Sequence, residues 1–173
     1  MTDKLSLTYL DHCKRCSKLL LHPVNSILDL SQIRHNGLKI AKENFNLDKC
    51  LEEVRSLYIY AAQCKNIQFL VERTPTVPDT IFTGQHRLVQ ILINLLGNAI
   101  KFTFSGYVKL KVSVDDAEKI LFEVEDTGIG IADKDKCKLF KMFGKLNQSN
   151  KNTNKQGVGL GLTIANELVR VLN

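Results

Sequence analysis

The run His86-Arg87-Leu88-Val89-Gln90-Ile91-Leu92-Ile93-Asn94-Leu95-Leu96-Gly97-Asn98-Ala99-Ile100-Lys101-Phe102-Thr103 carries two patterns at once. Leu88, Ile91, Leu92, Leu95, Leu96 and Ala99 recur at helical spacing, which predicts an amphipathic helix from Gln85 to about Phe102. Asn94, Asn98 and Lys101, spaced i, i+4, i+7, share a different face of that helix. Two carboxamides and an ammonium on one stripe suit a metal–phosphate group. Amide oxygens ligate Mg²⁺, and lysine neutralises phosphate charge. A solvated polar stripe is the alternative that the helix alone leaves open.

Downstream of this helix, Tyr107 to Val114 alternates apolar and polar residues, as does Lys119 to Glu125. With Asp115-Asp116 between them, the two segments predict a β-hairpin. Asp126-Thr127-Gly128-Ile129-Gly130 follows directly. A carboxylate at a strand end can accept from an exocyclic amine such as that of adenine, and the glycines let the backbone approach a flat ring. A plain turn is the competing reading. Farther on stands Gly157-Val158-Gly159-Leu160-Gly161-Leu162, where glycines open a helix predicted to run to the C-terminus. Free N–H groups at such an end bind phosphate. A dinucleotide fingerprint would need a strand before it, and a polar loop precedes it here.

Between the two glycine runs, residues 131 to 156 read as a long loop with a helical turn or two around Cys137 to Phe143. A loop of this length inside a compact domain implies a functional lid. It holds seven lysines (134, 136, 138, 141, 145, 151, 155) against Asp133 and Asp135, within a chain of net charge +6. A basic stretch can meet nucleic acid or close over a polyphosphate. No aromatic interleaving supports the former, so no nucleic-acid partner is expected.

Upstream of Gln85, Thr80 to Thr83 and Ile67 to Val71 read as short strands, separated by the proline-bearing loop Thr74 to Pro78. Asp48 is the expected N-cap of a helix to about Lys65, with Leu51, Val54, Leu57, Tyr58 and Ala61 on one face. Lys39 to Leu47 reads as a connector. Residues 8 to 35 read as one helix, which Pro23 should kink and Asn36-Gly37 should stop. The 173 residues are 44% hydrophobic and 24% charged, which suits a globular chain with one core and an appended helix. No apolar run approaches the roughly 20 residues that cross a bilayer. Five cysteines (Cys13, Cys16, Cys50, Cys64, Cys137) include a single CxxC, which points to reduced thiols in an intracellular protein rather than to a zinc site.

In this order and spacing the pieces resemble the N, G1 and G2 boxes of the histidine-kinase/gyrase/Hsp90-like ATPases. Leu139-Phe140-Lys141-Met142-Phe143-Gly144 is similar to the F box of the same superfamily. The stretch from His86 to Thr103 resembles the N box of sensor histidine kinases over nearly every position, although Gln85 stands where the family usually has Asp. The resemblance implies an α+β fold, a two-layer α/β sandwich of the Bergerat type that lacks its last strands, with a helix of a dimerisation hairpin before it. It places the remnant second helix of that hairpin at 1–38 and the ATP-binding domain at 45–173.

The resemblance also assigns roles, with ATP and Mg²⁺ as cofactors. Asn98, with Asn94, would hold Mg²⁺, and Asn94 and Lys101 would be the catalytic pair, Lys101 on phosphate. Asp126 would read adenine over a floor shaped by Gly128 and Gly130. Phe140 and Phe143 would anchor the lid. Gly157, Gly159 and Gly161, with Leu162, would hinge it and face the phosphates. In the hydrolysing relatives the position of Asn94 is usually Glu, a base for water. An amide cannot take that proton, which favours phosphoryl transfer to a protein acceptor.

The acceptor itself is not found. Leu19 to Ile33, including His22-Pro23 and Ile27-Leu28-Asp29-Leu30-Ser31, resembles the second hairpin helix, with Phe45-Asn46-Leu47 at the linker. His12, His22, His35 and His86 lack the motif of a phosphoacceptor and read as surface or packing residues. The family continues beyond the last helix into two further strands, so a fragment or a reduced gene product is expected. The implied function is the ATP-binding region of a sensor histidine kinase of the hybrid type, from a parent protein that can be membrane-anchored. Its partners would be a phosphoacceptor histidine domain, a response-regulator receiver domain, and a second copy through the N-terminal helix. The alternatives are a degenerate nucleotide-binding or dimerisation module and a hydrolysing ATPase of the superfamily.

Overall fold

A computed structural model describes residues 40–136, 139–140 and 160–172, together with Tyr9, Ser17 and Leu28. The chain divides into two compact units, 1–39 and 40–173. In the first, Tyr9, Ser17 and Leu28 are helical. The rest of the predicted helix 8–35 and its Asn36-Gly37 stop lie outside the described residues, as do Cys13, Cys16 and Cys137 and the histidines 12, 22 and 35.

The second unit runs β1 (Glu43–Asn46), α1 (Leu47–Cys64), β2 (Gln68–Arg73), β3 (Thr80–Thr83), α2 (Gln85–Phe102), β4 (Tyr107–Val114), β5 (Ile120–Asp126), the single turn α3 (Asp133–Lys136) and α4 (Gly161–Leu172). Strands β2, β4 and β5 form one sheet in that order, β2 parallel and β5 antiparallel to β4. Strands β1 and β3 form a separate antiparallel pair. Sheets and helices in one mixed unit agree with the expected α+β class.

The pairing explains the core. Phe69 and Val71 stand opposite Val108 and Leu110, which stand opposite Asp126 and Val124. Paired residues share a face, so one face of the sheet is apolar and covered by helices. Val108, Leu110 and Val112 on that face are fully buried. The other face is solvated and carries Lys109–Glu72 at 3.7 Å and Lys111–Glu123 at 3.3 Å. Such exposed pairs contribute little to stability. Among the described residues no helix is long and apolar enough to cross a membrane.

Three expectations need correction. The segment read as a connector contains β1, whose Phe45 is buried and pairs with Ile81. The N-cap of α1 is Asn46, not Asp48: the Asn46 side chain accepts from the Lys49 amide at 2.9 Å. Asp48 sits in the first turn and meets Arg73 Nε at 3.1 Å. Arg73 also meets Asp79 at 2.7 Å and donates to the Val77 carbonyl at 3.0 Å, so one guanidinium ties β2, the start of α1 and the 74–79 loop together. Finally, the buried arc of each long helix differs from the single predicted stripe. On α1, Ala62 is buried and Ala61 is half-buried. On α2, Leu95 is half-buried while Gln90, Asn94 and Ile100 are buried. Helix α2 touches α1, α4, β4 and β5, and a helix with neighbours on several sides buries more than one stripe.

Candidate functional site

Helix α2 positions the first group of residues. Asn94, Asn98 and Lys101 share a face as the spacing predicts, but they are not a solvated stripe. Asn94 is 9% exposed, and Asn98 and Lys101 are half-buried. Asn94 faces α4: a Cβ built on Gly161 would lie 2.9 Å from Asn94 Oδ1. A side chain at 161 would therefore crowd the Asn94 carboxamide and force it to turn. The glycine keeps the second glycine-rich segment against the polar face of α2. The Lys101 ammonium lies over the Phe102 ring, 4.7 Å from its centroid.

The middle of α2 is gripped from behind. Tyr58 of α1 donates its hydroxyl to the Ile93 carbonyl at 2.7 Å. Burial raises the Tyr58 pKa above the usual phenol range, so it remains a donor.

The second group ends β5. Asp126 pairs with Val108, which sets its carboxylate on the helix-covered side of the sheet, yet it is exposed because the strand ends there. Its Oδ1 accepts from the Gly128 amide at 2.9 Å and folds the chain into a tight turn. That turn rests on the end of α2. The Ile129 amide donates to the Phe102 carbonyl at 3.3 Å, and a Cβ on Gly128 would come within 2.6 Å of the same oxygen. Only glycine permits this approach. Thr127 adds a stitch: its hydroxyl donates to the Ser105 carbonyl and accepts from the Tyr107 amide, both at 2.9 Å. Gly130 has φ +66°, in the left-handed region that glycine favours, with open space around its Cβ position.

The third group is partly described. Phe140 is exposed, and its carbonyl accepts from the Thr163 hydroxyl of α4 at 3.2 Å. Leu160 is buried and its carbonyl accepts from the Ile164 amide, which starts α4, with Leu162 half-buried beside it. Phe143, Gly157, Gly159 and Lys138, Lys141, Lys145, Lys151 and Lys155 of the predicted lid lie outside the described residues. A helical turn is seen at Asp133–Lys136, and of the turn expected around Cys137 to Phe143 only Leu139 and Phe140 are among the described residues.

The structure thus brings Asn94 against Gly161, and the Asp126 turn against Phe102 one residue after Lys101. The site comprises one polar helix face, one carboxylate turn and one helix start. Sequence reasoning missed Thr127 and Tyr58. Their partners are remote in sequence, and Tyr58 in particular reads locally as one more apolar residue of α1.

Comparison with known proteins supplies the family and the fold. Residues 83–173 match the family described as histidine kinase-, DNA gyrase B-, and HSP90-like ATPase. Over 169 residues the chain is 36% identical to the hybrid signal transduction protein dokA of Dictyostelium discoideum, a span that takes in 94% of this chain and 10% of that protein. Among solved structures, full-length ShkA in complex with AMPPNP is similar with a TM-score of 0.74 and 29% identity, over 94% of this chain and 33% of that one. The nucleotide-free catalytic domain of the histidine kinase ThkA is similar with a TM-score of 0.63 and 29% identity, over 77% of this chain and 82% of that one. The chain therefore spans about a tenth of the curated relative and most of a solved catalytic domain.

Proposed function

The chain belongs to the histidine kinase-, DNA gyrase B-, and HSP90-like ATPase family, and on that premise we propose that it is the ATP-binding catalytic region of a hybrid sensor histidine kinase. The observation that carries the reading is the junction at Phe102. Its carbonyl holds the Asp126 turn against the same helix that presents Asn94, Asn98 and Lys101. An adenine reader and a phosphate-side polar face are thereby fixed in one frame.

In this reading Asp126 uses Oδ1 to hold its own turn and its second oxygen to accept from the adenine amine. Asn98 and Asn94 would hold Mg²⁺. Their carboxamide oxygens are hard donors of the right class, and Asn94 is buried where the two helices meet. The metal, when bound, neutralises charge on the triphosphate. Lys101 pairs with phosphate oxygens, swinging from its resting place over Phe102. Thr163 fixes Phe140 at the foot of the lid. Position 94 offers an amide, which takes no proton from water, so the γ-phosphoryl group would pass to a ring nitrogen of a histidine in a phosphoacceptor domain as its bond to the β-phosphate oxygen breaks and ADP leaves, and onward to a receiver domain. The N-terminal helix would pair two copies.

Titration with Mg·ATP tests the site. Asn98→Ala and Asp126→Ala are each expected to weaken binding by about ten- to a hundred-fold, the worth of a hydrogen bond involving a charged group. If neither substitution weakens binding, the assignment is wrong. Steady phosphate release at rates of roughly 1 s⁻¹ or more, in the ordinary enzyme range, would instead favour a hydrolysing ATPase. Binding without phosphate transfer to a supplied phosphoacceptor hairpin would favour a degenerate module.

A further inference from the structure

Lys65 lies outside every motif of the site, yet its side chain reaches the end of α2. It is the residue that closes α1: its backbone amide donates to the Ala62 carbonyl at 3.1 Å, and the next amide, of Asn66, donates to Gln63 at 3.0 Å. Its Nζ then donates to three carbonyls, Ile100 at 2.6 Å, Lys101 at 3.0 Å and Thr103 at 3.3 Å. These belong to the last turn of α2 and the residue after it, where carbonyls have no helical partner and carry the negative end of the helix dipole. An ammonium has three donors, which matches the three oxygens. The same Nζ lies 5.4 Å from the Phe104 ring centroid.

The turn that Lys65 gathers is the one that matters to the site. Lys101 lies within it, and Phe102, between two of the carbonyls that Lys65 holds, presents the oxygen that receives Ile129. Thr103 contributes from the other side, where its buried hydroxyl donates to the Ala99 carbonyl at 2.7 Å. If the last turn frays, the Phe102 carbonyl moves, and the Asp126 turn moves with it.

We propose that Lys65 is a positioning residue for the nucleotide site. It holds the carbonyls of Ile100, Lys101 and Thr103 so that Phe102 can lock the adenine-side turn to the phosphate-side helix. The inference rests on the proposed ATP site and deepens it: the register between the two halves of that site is set from α1, through a residue that touches no ligand.

Mg·ATP affinity and melting temperature would be measured for wild type, Lys65→Arg, Lys65→Gln and Lys65→Met, with binding read well below every melting point. Hydrogen exchange at the Ile129 amide would be followed in each. The expected order of affinity is wild type, then Arg, then Gln, then Met, with Met weaker by roughly three- to ten-fold, the scale of a charge lost from a helix end. Ile129 exchange should quicken in the same order. If Met does not fold, Gln against Arg decides. A lowered melting temperature with unchanged affinity and unchanged Ile129 exchange in the folded variants would overturn the proposal and leave Lys65 a stabilising cap. Failure of wild type to bind Mg·ATP would instead overturn the ATP reading, whereas Ile129 exchange still reports on the Lys65 contact by itself.

Discussion

The two ends of α2 are finished in opposite ways. At its N-terminus the cap is Gly84, which offers no side-chain hydrogen bond. A Cβ there would lie 2.6 Å from Ile40 Cγ2 and 3.3 Å from Leu172 Cδ2, so apolar packing fills the place a capping oxygen would take. At its C-terminus polar groups converge instead: Lys65 on three carbonyls, Thr103 on a fourth, and Ile129 on the Phe102 oxygen. One end is held by apolar contact, which has no direction. The other is held by hydrogen bonds, which do. The directional end is the one that joins the two halves of the proposed nucleotide site, where a small misplacement costs binding.

The contrast is best broken with one methyl group at each end. Gly128→Ala brings a Cβ to 2.6 Å from a backbone oxygen that cannot step aside. It should cost about 2–3 kcal/mol by chemical denaturation, the upper part of the overpacking range, and should abolish measurable Mg·ATP binding. Gly84→Ala also brings a Cβ to 2.6 Å, but from a side-chain methyl, Ile40 Cγ2, rather than from backbone. It should cost about 1 kcal/mol and leave nucleotide affinity as in wild type. Equal losses of affinity at the two ends would erase the distinction.

Between the ends, Tyr58→Phe removes the hydroxyl that grips Ile93. A loss of about 1 kcal/mol in denaturant is expected, with affinity little changed, since the bond lies behind the polar face. A further effect is one of pH. Burial, and secondarily the nearby Glu53, push the Cys50 thiol up to about 11 from 9.0. A folded-state pKa above the unfolded one stabilises the protein below the unfolded value and loses that contribution as pH rises through the folded one. Stability should therefore decline between about pH 9 and 11, and Cys50→Ala should remove the part of that decline that begins near pH 9, while the raised phenols, Tyr58 foremost, keep the rest. The decline should not depend on nucleotide, because Cys50 lies on α1, away from the Phe102 junction.

What could be read from the sequence followed the strength of local pattern. Helix α2 is found from Gln85 to Phe102, where a three-to-four repeat fixed it, and β4 from Tyr107 to Val114, where alternation did. Strand β1 was hidden because its four residues contain one apolar side chain, and it exists by pairing with β3 beyond α1 and β2. The cap of α1 was misplaced because Asn46 and Asp48 are both good caps. The choice is tertiary: Leu47 is fully buried and its amide donates to the Asp79 carbonyl at 2.8 Å, which fixes where the helix begins. Within the proposed site, the shared helix face of Asn94, Asn98 and Lys101 and the strand-end place of Asp126 follow from spacing and alternation. That Asn94 is buried against Gly161 does not, because it depends on α4 folding back from the far end of the domain.

In the proposed site Asp126 divides its two oxygens between its own turn and a ligand donor. Asp126→Asn separates the two, because an asparagine oxygen can still accept from the Gly128 amide while its amino group cannot accept from adenine. The decisive measurement is Mg·ATP titration of that variant beside its thermal melt. The expected result is a melting temperature within about 2 °C of wild type, a change worth under 1 kcal/mol, and an affinity lower by at least roughly ten-fold. An unchanged affinity with an unchanged melt would contradict it.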